Sequence, residues 1–361
     1  MEYLDYKRLR YKYAGRENIY NEILSNRISG FTELPLLAKN RKPLVYTHSD
    51  EIISLLNEID TAYERAEVDA VDFIVDESYS TCTIEGARST IADTVRLAQG
   101  KEPSNHSEIM IKNNIKAIKL VLNEDFAFDE QDVLKLWRVI TDNAADNIEI
   151  QGEKYRCDDV DIADAAGNVT FFPPSADKIQ EMMDQLFDFI NGKSDWNVFV
   201  KAIVIHYFFV YIHPFCDGNG RCARLLMQNY LIKNGLEKFK GISISSGVLK
   251  NRSGYYNALE NSENSYNDIT FIIIYYLEII RDALYSACEG FGYQERHMEM
   301  SSRQKRVIEY LRKNKGHLIT PEIYAKRYGT DINTAKAELT DLAETDILSA
   351  YKNGRIEYRA K

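Results

Sequence analysis

No Cys-x-x-Cys pair occurs anywhere in this chain, and its five cysteines, Cys82, Cys157, Cys216, Cys222 and Cys288, are odd in number and scattered. That spacing argues against a zinc site or a disulfide framework, and makes the reducing cytoplasm the simplest expectation. Long apolar runs are also missing. The most apolar stretch, Val198 to Phe215, is interrupted by Lys201 and His206, so it reads as a buried helix and not as a membrane span. The opening Met-Glu-Tyr-Leu-Asp-Tyr-Lys lacks the apolar core of a signal peptide. There are no internal repeats. Basic charge is scarce overall: the formal net charge is −10, and the last 61 residues hold thirteen Lys plus Arg against eight Asp plus Glu. Residues 1–300 therefore carry −15 and make a poor general surface for nucleic acid, while the tail carries +5.

What is present suits an enzyme with appended modules. A chain of 361 residues with 45% hydrophobic content supports two or three domains with real cores. Its most informative stretch is His213-Pro-Phe-Cys-Asp-Gly-Asn-Gly-Arg221, with Arg224 one turn further on. Proline after His213 restricts that histidine to extended backbone, so the apolar helix before it stops there and leaves the imidazole at a helix end. Gly218 and Gly220 permit a turn with bare backbone near a ligand. Arg221 to Asn234, closed by Gly235, reads as a helix whose N-terminus offers unpaired N–H groups to a phosphate. Arg221 and Arg224 share a face of it.

These residue types fit nucleotide chemistry. An unperturbed imidazole titrates near pH ~6.5 and can take a proton from a Ser, Thr or Tyr hydroxyl at neutral pH. Magnesium accepts few protein carboxylates alongside phosphate oxygens and waters, so one aspartate suffices. Guanidinium forks match phosphate oxygens. A nucleophilic Cys216 paired with His213 would leave the glycine turn and the two arginines without a purpose. His206, seven residues back on the same helix, reads as a packed core histidine.

The stretch resembles the signature of the Fic family, His-Pro-Phe-x-(Asp/Glu)-Gly-Asn-Gly-(Arg/Lys)-x-x-Arg, and fills all nine of its constrained positions. The resemblance implies transfer of AMP from ATP to a hydroxyl of a target protein, with Mg2+ as the metal. It implies His213 as general base, Asp217 as the magnesium ligand, Gly218, Asn219 and Gly220 as the anion-binding turn, Arg221 and Arg224 as phosphate clamps, and Phe215 as a core anchor. Phosphate transfer, as in the Doc branch, is disfavoured because that branch lacks the final glycine, here Gly220.

Upstream, Thr81-Cys-Thr-Ile-Glu85-Gly86 fits the family's inhibitory pattern (Ser/Thr)-x-x-x-Glu-(Gly/Asn). Val68, Val71, Ile74, Val75 and Tyr79 recur at helical spacing ahead of it, which places Glu85 near the end of an amphipathic helix. The resemblance implies an ion pair from Glu85 to Arg224 that occupies the arginine needed by the γ-phosphate.

Other segments read as follows. Residues 1 to about 60 hold an irregular start, Pro35 and Pro43 in a loop, and a helix from Ser49 with Ile52, Leu55, Leu56 and Ile59 on one face. Residues 65 to about 150 read as helical, with a polar break at Gly100 to Ser107. Between Tyr155 and Phe172, Val160-Asp-Ile162 and Val169-Thr-Phe-Phe172 are short β-type runs around Ala166-Gly-Asn168. This is similar to the Fic flap, which implies that residues 155–172 hold the target segment by main-chain pairing. The resemblance also implies a tyrosine lining the adenine site, assigned to Tyr256, with its asparagine partner open between Asn261 and Asn264.

The tail reads as three helices and a hairpin. Gln304 to Lys313, Pro321 to Gly329 and Ile332 to Leu342 are the helices, and Leu348 to Arg359 folds about Asn353-Gly354. This order resembles a winged helix. Lys336 on the third helix is accompanied by Asp331, Glu338, Asp341 and Glu344, which weighs against DNA despite Lys352, Arg355, Arg359 and Lys361 in the hairpin, and favours protein docking.

The expectation is a mainly α Fic-fold helical bundle with a β-hairpin flap and a small C-terminal winged-helix domain. Its segments are an extension over 1–64, an inhibitory region over 65–100, a catalytic core over 101–295 and the winged helix over 301–361. The expected function is autoinhibited AMP transfer to a target protein and to the chain itself. Alternatives are AMP removal at the same site, and a nucleotide-sensing regulator that binds DNA through the tail. Homodimerisation is left open.

Overall fold

The computed structural model describes residues 3–68, 73–123, 125–163, 169–193, 195–288, 300–314, 317–344, 347–352 and 356–360. It divides into two units, Met1–Cys288 and Glu289–Lys361.

In the first unit, α1 (Tyr6–Lys12) and α2 (Glu17–Ser29) precede a two-stranded antiparallel sheet of β1 (Phe31–Leu37) and β2 (Pro43–Thr47). The expected loop holding Pro35 and Pro43 is therefore a hairpin. Pro35 lies in the register irregularity between Glu33 and Leu37, and Pro43 opens β2, positions where a missing N–H costs the ladder nothing. Helix α3 (Asp50–Arg65) starts at Ser49, whose hydroxyl accepts the Ile52 N–H, and it buries Ile52, Leu55, Ile59 and Ala62. Its 3.6-residue periodicity is what made it legible.

Helices α4 (Phe73–Ile84), α5 (Ile91–Ala98), α6 (His106–Val121) and α7 (Glu130–Thr141) follow. Helix α4 departs from its expected amphipathic form. Its deepest residues include Asp76, Glu77, Ser78, Ser80 and Thr81, while Ile74, Val75 and Tyr79 are only half-buried. Glu77 and Thr81 face inward because partners for them lie there. Val71 lies outside the described residues.

Strands β3 (Ile162–Ala163) and β4 (Val169–Phe171) pair antiparallel through Ile162 with Phe171 and Ala163 with Val169. The expected tip at Ala166-Gly-Asn168 lies outside the described residues. Then come α8 (Ile179–Asn191), α9 (Val198–Ile212), α10 (Asn219–Lys233), α11 (Ile244–Lys250), α12 (Arg252–Glu263) and α13 (Thr270–Cys288). Helix α9 is buried on every side from Phe199 to Ile212 and packs against α10 and α13 at the centre of one large apolar core. Among the described residues, no helix is long and apolar enough to cross a membrane.

The second unit has its own core, built on Val307, Ile308, Leu311, Leu339, Leu342 and Tyr358. Helix α14 (Ser302–Lys313) begins with a capping box between Ser301 and Gln304; α15 (Pro321–Tyr328) ends at the left-handed Gly329; α16 (Ile332–Glu344) leads to the antiparallel pair β5 (Leu348–Lys352) and β6 (Ile356–Ala360). An isolated antiparallel bridge joins Ile319 to Tyr358. The expected turn at Asn353-Gly354 lies outside the described residues, as do Arg355, Lys361 and the side chain of Lys352. One expectation is corrected. Glu338 does not belong to the outer face of α16: it is buried, held by the Arg303 guanidinium at 2.8 Å and the Tyr324 hydroxyl at 2.7 Å.

Candidate active site

The end of α9 sets the first group of the site. His213 closes the helix, its N–H donating to the Phe209 carbonyl at 3.0 Å, with φ 52° and ψ 59°. The backbone is left-handed and not extended, as the following proline had suggested. Proline disfavours the right-handed region for His213, and the left-handed region is one of those that remain open to it. The ring Nδ1 lies 3.3 Å from the Val210 carbonyl, an acceptor, so Nδ1 carries the proton and Nε2 keeps its lone pair. Burial pushes the imidazole down to about 4, with Arg156 adding to the effect, so it is neutral at pH 7.

Arg156 was not singled out from the sequence. Its buried guanidinium donates to the carbonyls of His213 at 2.8 Å and Asp158 at 2.7 Å and to that of Pro174, while its backbone N–H reaches the Pro214 carbonyl at 2.9 Å. It therefore ties the base of the β3–β4 hairpin to the histidine turn. An arginine just ahead of the hairpin was the available signal, but nothing in its sequence surroundings announces four carbonyl partners.

The loop after His213 is braced from inside. Phe215 is fully buried and stacks on Trp137 with ring centroids 4.8 Å apart. Asn219 exchanges two hydrogen bonds with Phe215, Nδ2 to the carbonyl at 2.8 Å and Oδ1 from the N–H at 3.0 Å. Its amide group is thus spent on shaping the loop. Gln151 accepts the Cys216 N–H at 3.0 Å, and Trp137 Nε1 donates to the Asp217 carbonyl at 3.0 Å. Gly218 has φ +80°, and a Cβ there would lie 3.0 Å from Thr141 Cγ2, so both backbone and space require glycine.

Helix α10 begins at Asn219, two residues earlier than expected, with Gly218 as a cap that has no side chain to offer. The N–H groups of Asn219, Gly220 and Arg221 thus form its first turn and have no intrahelical acceptor. The Gly218 N–H is taken by the Asp217 side chain.

Two arginines rise from this helix into different roles. Arg221 is fully buried, and its Nη2 holds both Asp217 oxygens, at 3.0 and 3.1 Å. As built, it positions Asp217 and does not face an open space. Arg224, 1% exposed, donates through Nε to the Thr81 hydroxyl at 2.7 Å and through Nη2 to Glu85 Oε1 at 2.6 Å and the Thr81 carbonyl at 3.2 Å. Its Nη1 is buried without a hydrogen-bond partner and lies 3.1 Å from where a Gly220 Cβ would be. That Cβ would also collide with Glu85 Oε1. A carboxylate therefore lies against the first turn of α10, the position a helix N-terminus offers to an anion. Burial alone would raise the Glu85 carboxyl, but the charge of Arg224 and its hydrogen bond, with Arg221 and His213, hold it below the usual range. Gly86, at φ +91°, turns the chain away directly after it.

The sequence-predicted residues His213, Asp217, Gly218, Gly220, Arg224, Thr81 and Glu85 thus come together. Tyr256 does not join them by any hydrogen bond or ring contact among the described residues. It is 45% exposed on α12, with the Arg252 guanidinium 5.6 Å from its ring centroid. Its neighbour Tyr255 packs inside and meets His206 Nε2 at 3.1 Å, which with Tyr276 at 2.9 Å places His206 in the core, as expected. Asn264 donates its side-chain amide to Glu260.

Residues 127–231 match the family model described as Fic/DOC family. The chain is 30% identical over 217 residues to the Protein adenylyltransferase Fic of Drosophila willistoni, covering 58% of this chain and 40% of that protein. To the protein of the same name from Aedes aegypti it is 29% identical over 195 residues, 51% of this chain and 37% of that one. The chain spans about 40% of the length of the curated relatives it matches. In fold it is similar to a Fic family protein from Desulfovibrio desulfuricans G20, with TM-score 0.61 and 20% identity over 88% of this chain and 97% of that one. Fic-1 (aa134–508) from C. elegans aligns with TM-score 0.52 and 20% identity over 66% and 70%.

Proposed function

With the Fic/DOC family domain of residues 127–231 as premise, we propose that this protein is an autoinhibited protein adenylyltransferase that moves AMP from ATP onto a Ser, Thr or Tyr hydroxyl. The observation that carries the reading is the Glu85 carboxylate on Arg224 and against the first turn of α10. It marks the anion position of the site and fills it at once.

The reaction then divides among the residues as follows. Nε2 of His213 takes the proton of the attacking hydroxyl, the oxygen bonds to the α-phosphorus, and the bond from that phosphorus to the bridging oxygen breaks, releasing pyrophosphate. A positioned general base contributes roughly 10²–10⁴-fold. The free N–H groups of Asn219, Gly220 and Arg221 and the unpaired Nη1 of Arg224 stabilise negative charge in a buried setting, where such donors act strongly. Arg224 serves the γ-phosphate only after Glu85 leaves it.

The donor set fits Mg2+ held mainly by nucleotide phosphates: Asp217 supplies one carboxylate with a side chain 26% exposed, oriented by Arg221, and no group of three ligating side chains lies among the described residues. When bound, the ion would neutralise phosphate charge at Asp217.

For the target, the β3–β4 hairpin offers an exposed edge at Val169 and Thr170, and Lys39 Nζ secures its far end through the Phe172 carbonyl at 2.6 Å. Main-chain pairing along that edge places a hydroxyl near His213 with little demand on sequence. The order of elements in the C-terminal unit supports the winged-helix reading. Exposed Ile323 and Ile332, beside Asp331, fit protein docking better than DNA.

The deciding experiment is mass spectrometry of Glu85→Gly protein after incubation with ATP and Mg2+. An added AMP on a hydroxyl residue, absent in His213→Ala/Glu85→Gly protein, is the expected result. An unmodified Glu85→Gly chain that also leaves added protein substrates unmodified would contradict it.

A further inference from the structure

Glu77 sits on α4 two turns before Glu85 and one before Thr81, so the three form a single polar stripe along the helix. The stripe meets two different elements. Thr81 and Glu85 hold Arg224 of α10. Glu77 reaches the start of α11 instead: Oε2 accepts the Ser243 hydroxyl at 2.7 Å and the Ser245 N–H at 3.3 Å, and Oε1 accepts the Ser245 hydroxyl. Glu77 is 1% exposed. Its partners are neutral donors at a helix N-terminus, and Arg224 acts on it only through its field; burial raises its pKa against these stabilising contacts.

A buried carboxylate with no ion-pair partner is costly unless its hydrogen bonds are met, so its retention inside the core asks for a reason. The neighbouring hydroxyls of Ser78 and Ser80 on the same helix have no partner, so α4 is not held in place by a fully satisfied polar network of its own. We infer that Glu77 is a second latch, a positioning residue that fixes α4 on the Ser243–Ser245 corner so that Glu85 stays over Arg224. The inference rests on the autoinhibited reading proposed above. In that arrangement Glu85 blocks the anion position and Glu77 sets how often the block is in place.

Two substitutions approach the latch from opposite sides, Glu77→Ala on α4 and Ser245→Ala on α11, with Glu77→Gln as the milder companion should the first fail to fold. Each should raise AMP transfer by the intact chain roughly tenfold, the factor that one hydrogen bond to a charged group corresponds to. The rise appears in kcat/KM for ATP, since none of these residues touches nucleotide and the gain comes through Arg224 freed from Glu85. Combined with Glu85→Gly, neither should add anything, because the block it positions is already gone. Hydrogen exchange should quicken in residues 73–84 and stay unchanged in α9.

If Glu85→Gly is activated while the Glu77 and Ser245 variants match wild type in rate and in exchange of α4, the latch is refuted and the autoinhibited reading stands. If Glu85→Gly shows no activation, that reading fails, and exchange of α4 still decides whether Glu77 anchors the helix. Additive activation in the double variants would also overturn the latch.

Discussion

Helices α4 and α9 are both deeply buried, and they are buried for opposite reasons. Helix α9 is apolar from Phe199 to Tyr211 except at Lys201 and His206, where Lys201 donates to the Gly192 carbonyl and His206 Nε2 meets two tyrosine hydroxyls. Helix α4 puts Asp76, Glu77, Ser78, Ser80 and Thr81 inside. Apolar burial depends on area and is indifferent to which neighbour supplies it. Polar burial holds only while particular partners are present, since an orphaned donor or acceptor carries its full desolvation cost. One helix is therefore a frame that carries His213 at its end, and on the autoinhibited reading proposed above the other is a device released by a competing partner, such as a phosphate for Arg224.

The contrast breaks most visibly at the end of the frame. Replacing His213 with Ala should cost roughly 10²–10⁴ in transfer rate, with nucleotide binding by calorimetry near wild type. Within the frame, Phe208→Ala should cost about 3–5 kcal/mol in denaturant unfolding without activating the enzyme that remains folded. Next in size is the release of the device: Glu85→Gly should raise transfer roughly tenfold or more while shifting the unfolding midpoint little, because an arginine that loses one acceptor here keeps Thr81. A large loss of stability without activation would make α4 a frame like α9.

The pH profile gives a finer test. Because burial lowers His213 to about 4, the neutral base is the major form at every pH well above that value. Transfer by Glu85→Gly should show no acid limb near pH ~6.5, the ordinary histidine value, and should decline only as the pH approaches 4. A midpoint near 6.5 would mean that the imidazole is solvated during turnover. The smallest effect is expected at Ser80, whose buried hydroxyl has no partner. Ser80→Ala should be neutral or stabilise by up to about 1 kcal/mol, measured by unfolding, and should leave inhibition intact.

The same contrast explains what could be read from the sequence. The candidate site was legible because nine of twelve consecutive positions hold residue types constrained by chemistry, and α3 was legible because its apolar residues follow the helical period. The inward face of α4 was not. Periodicity assigns the apolar residues Ile74, Val75 and Tyr79 to the core, whereas the partners that draw Glu77 and Thr81 inward lie more than 140 residues away in the chain. Glu338 was misplaced for the same reason, since Arg303 and Tyr324 claim it. The β1–β2 hairpin escaped because Pro35 and Pro43 read as loop residues unless the register irregularity that tolerates them is known. His213 shows the limit of a local rule: proline excluded one backbone region, and the helix end chose between the two that remained.

The central claim is that Glu85 takes the place of the outermost phosphate on Arg224. Calorimetry of ATP and ADP binding to wild type and to Glu85→Gly, in the presence of Mg2+, tests it directly. Wild type should bind the two nucleotides with nearly equal affinity, while the variant should prefer ATP by roughly tenfold, as expected for one charge-assisted contact regained. An ATP-to-ADP ratio that is the same in both proteins would contradict the account.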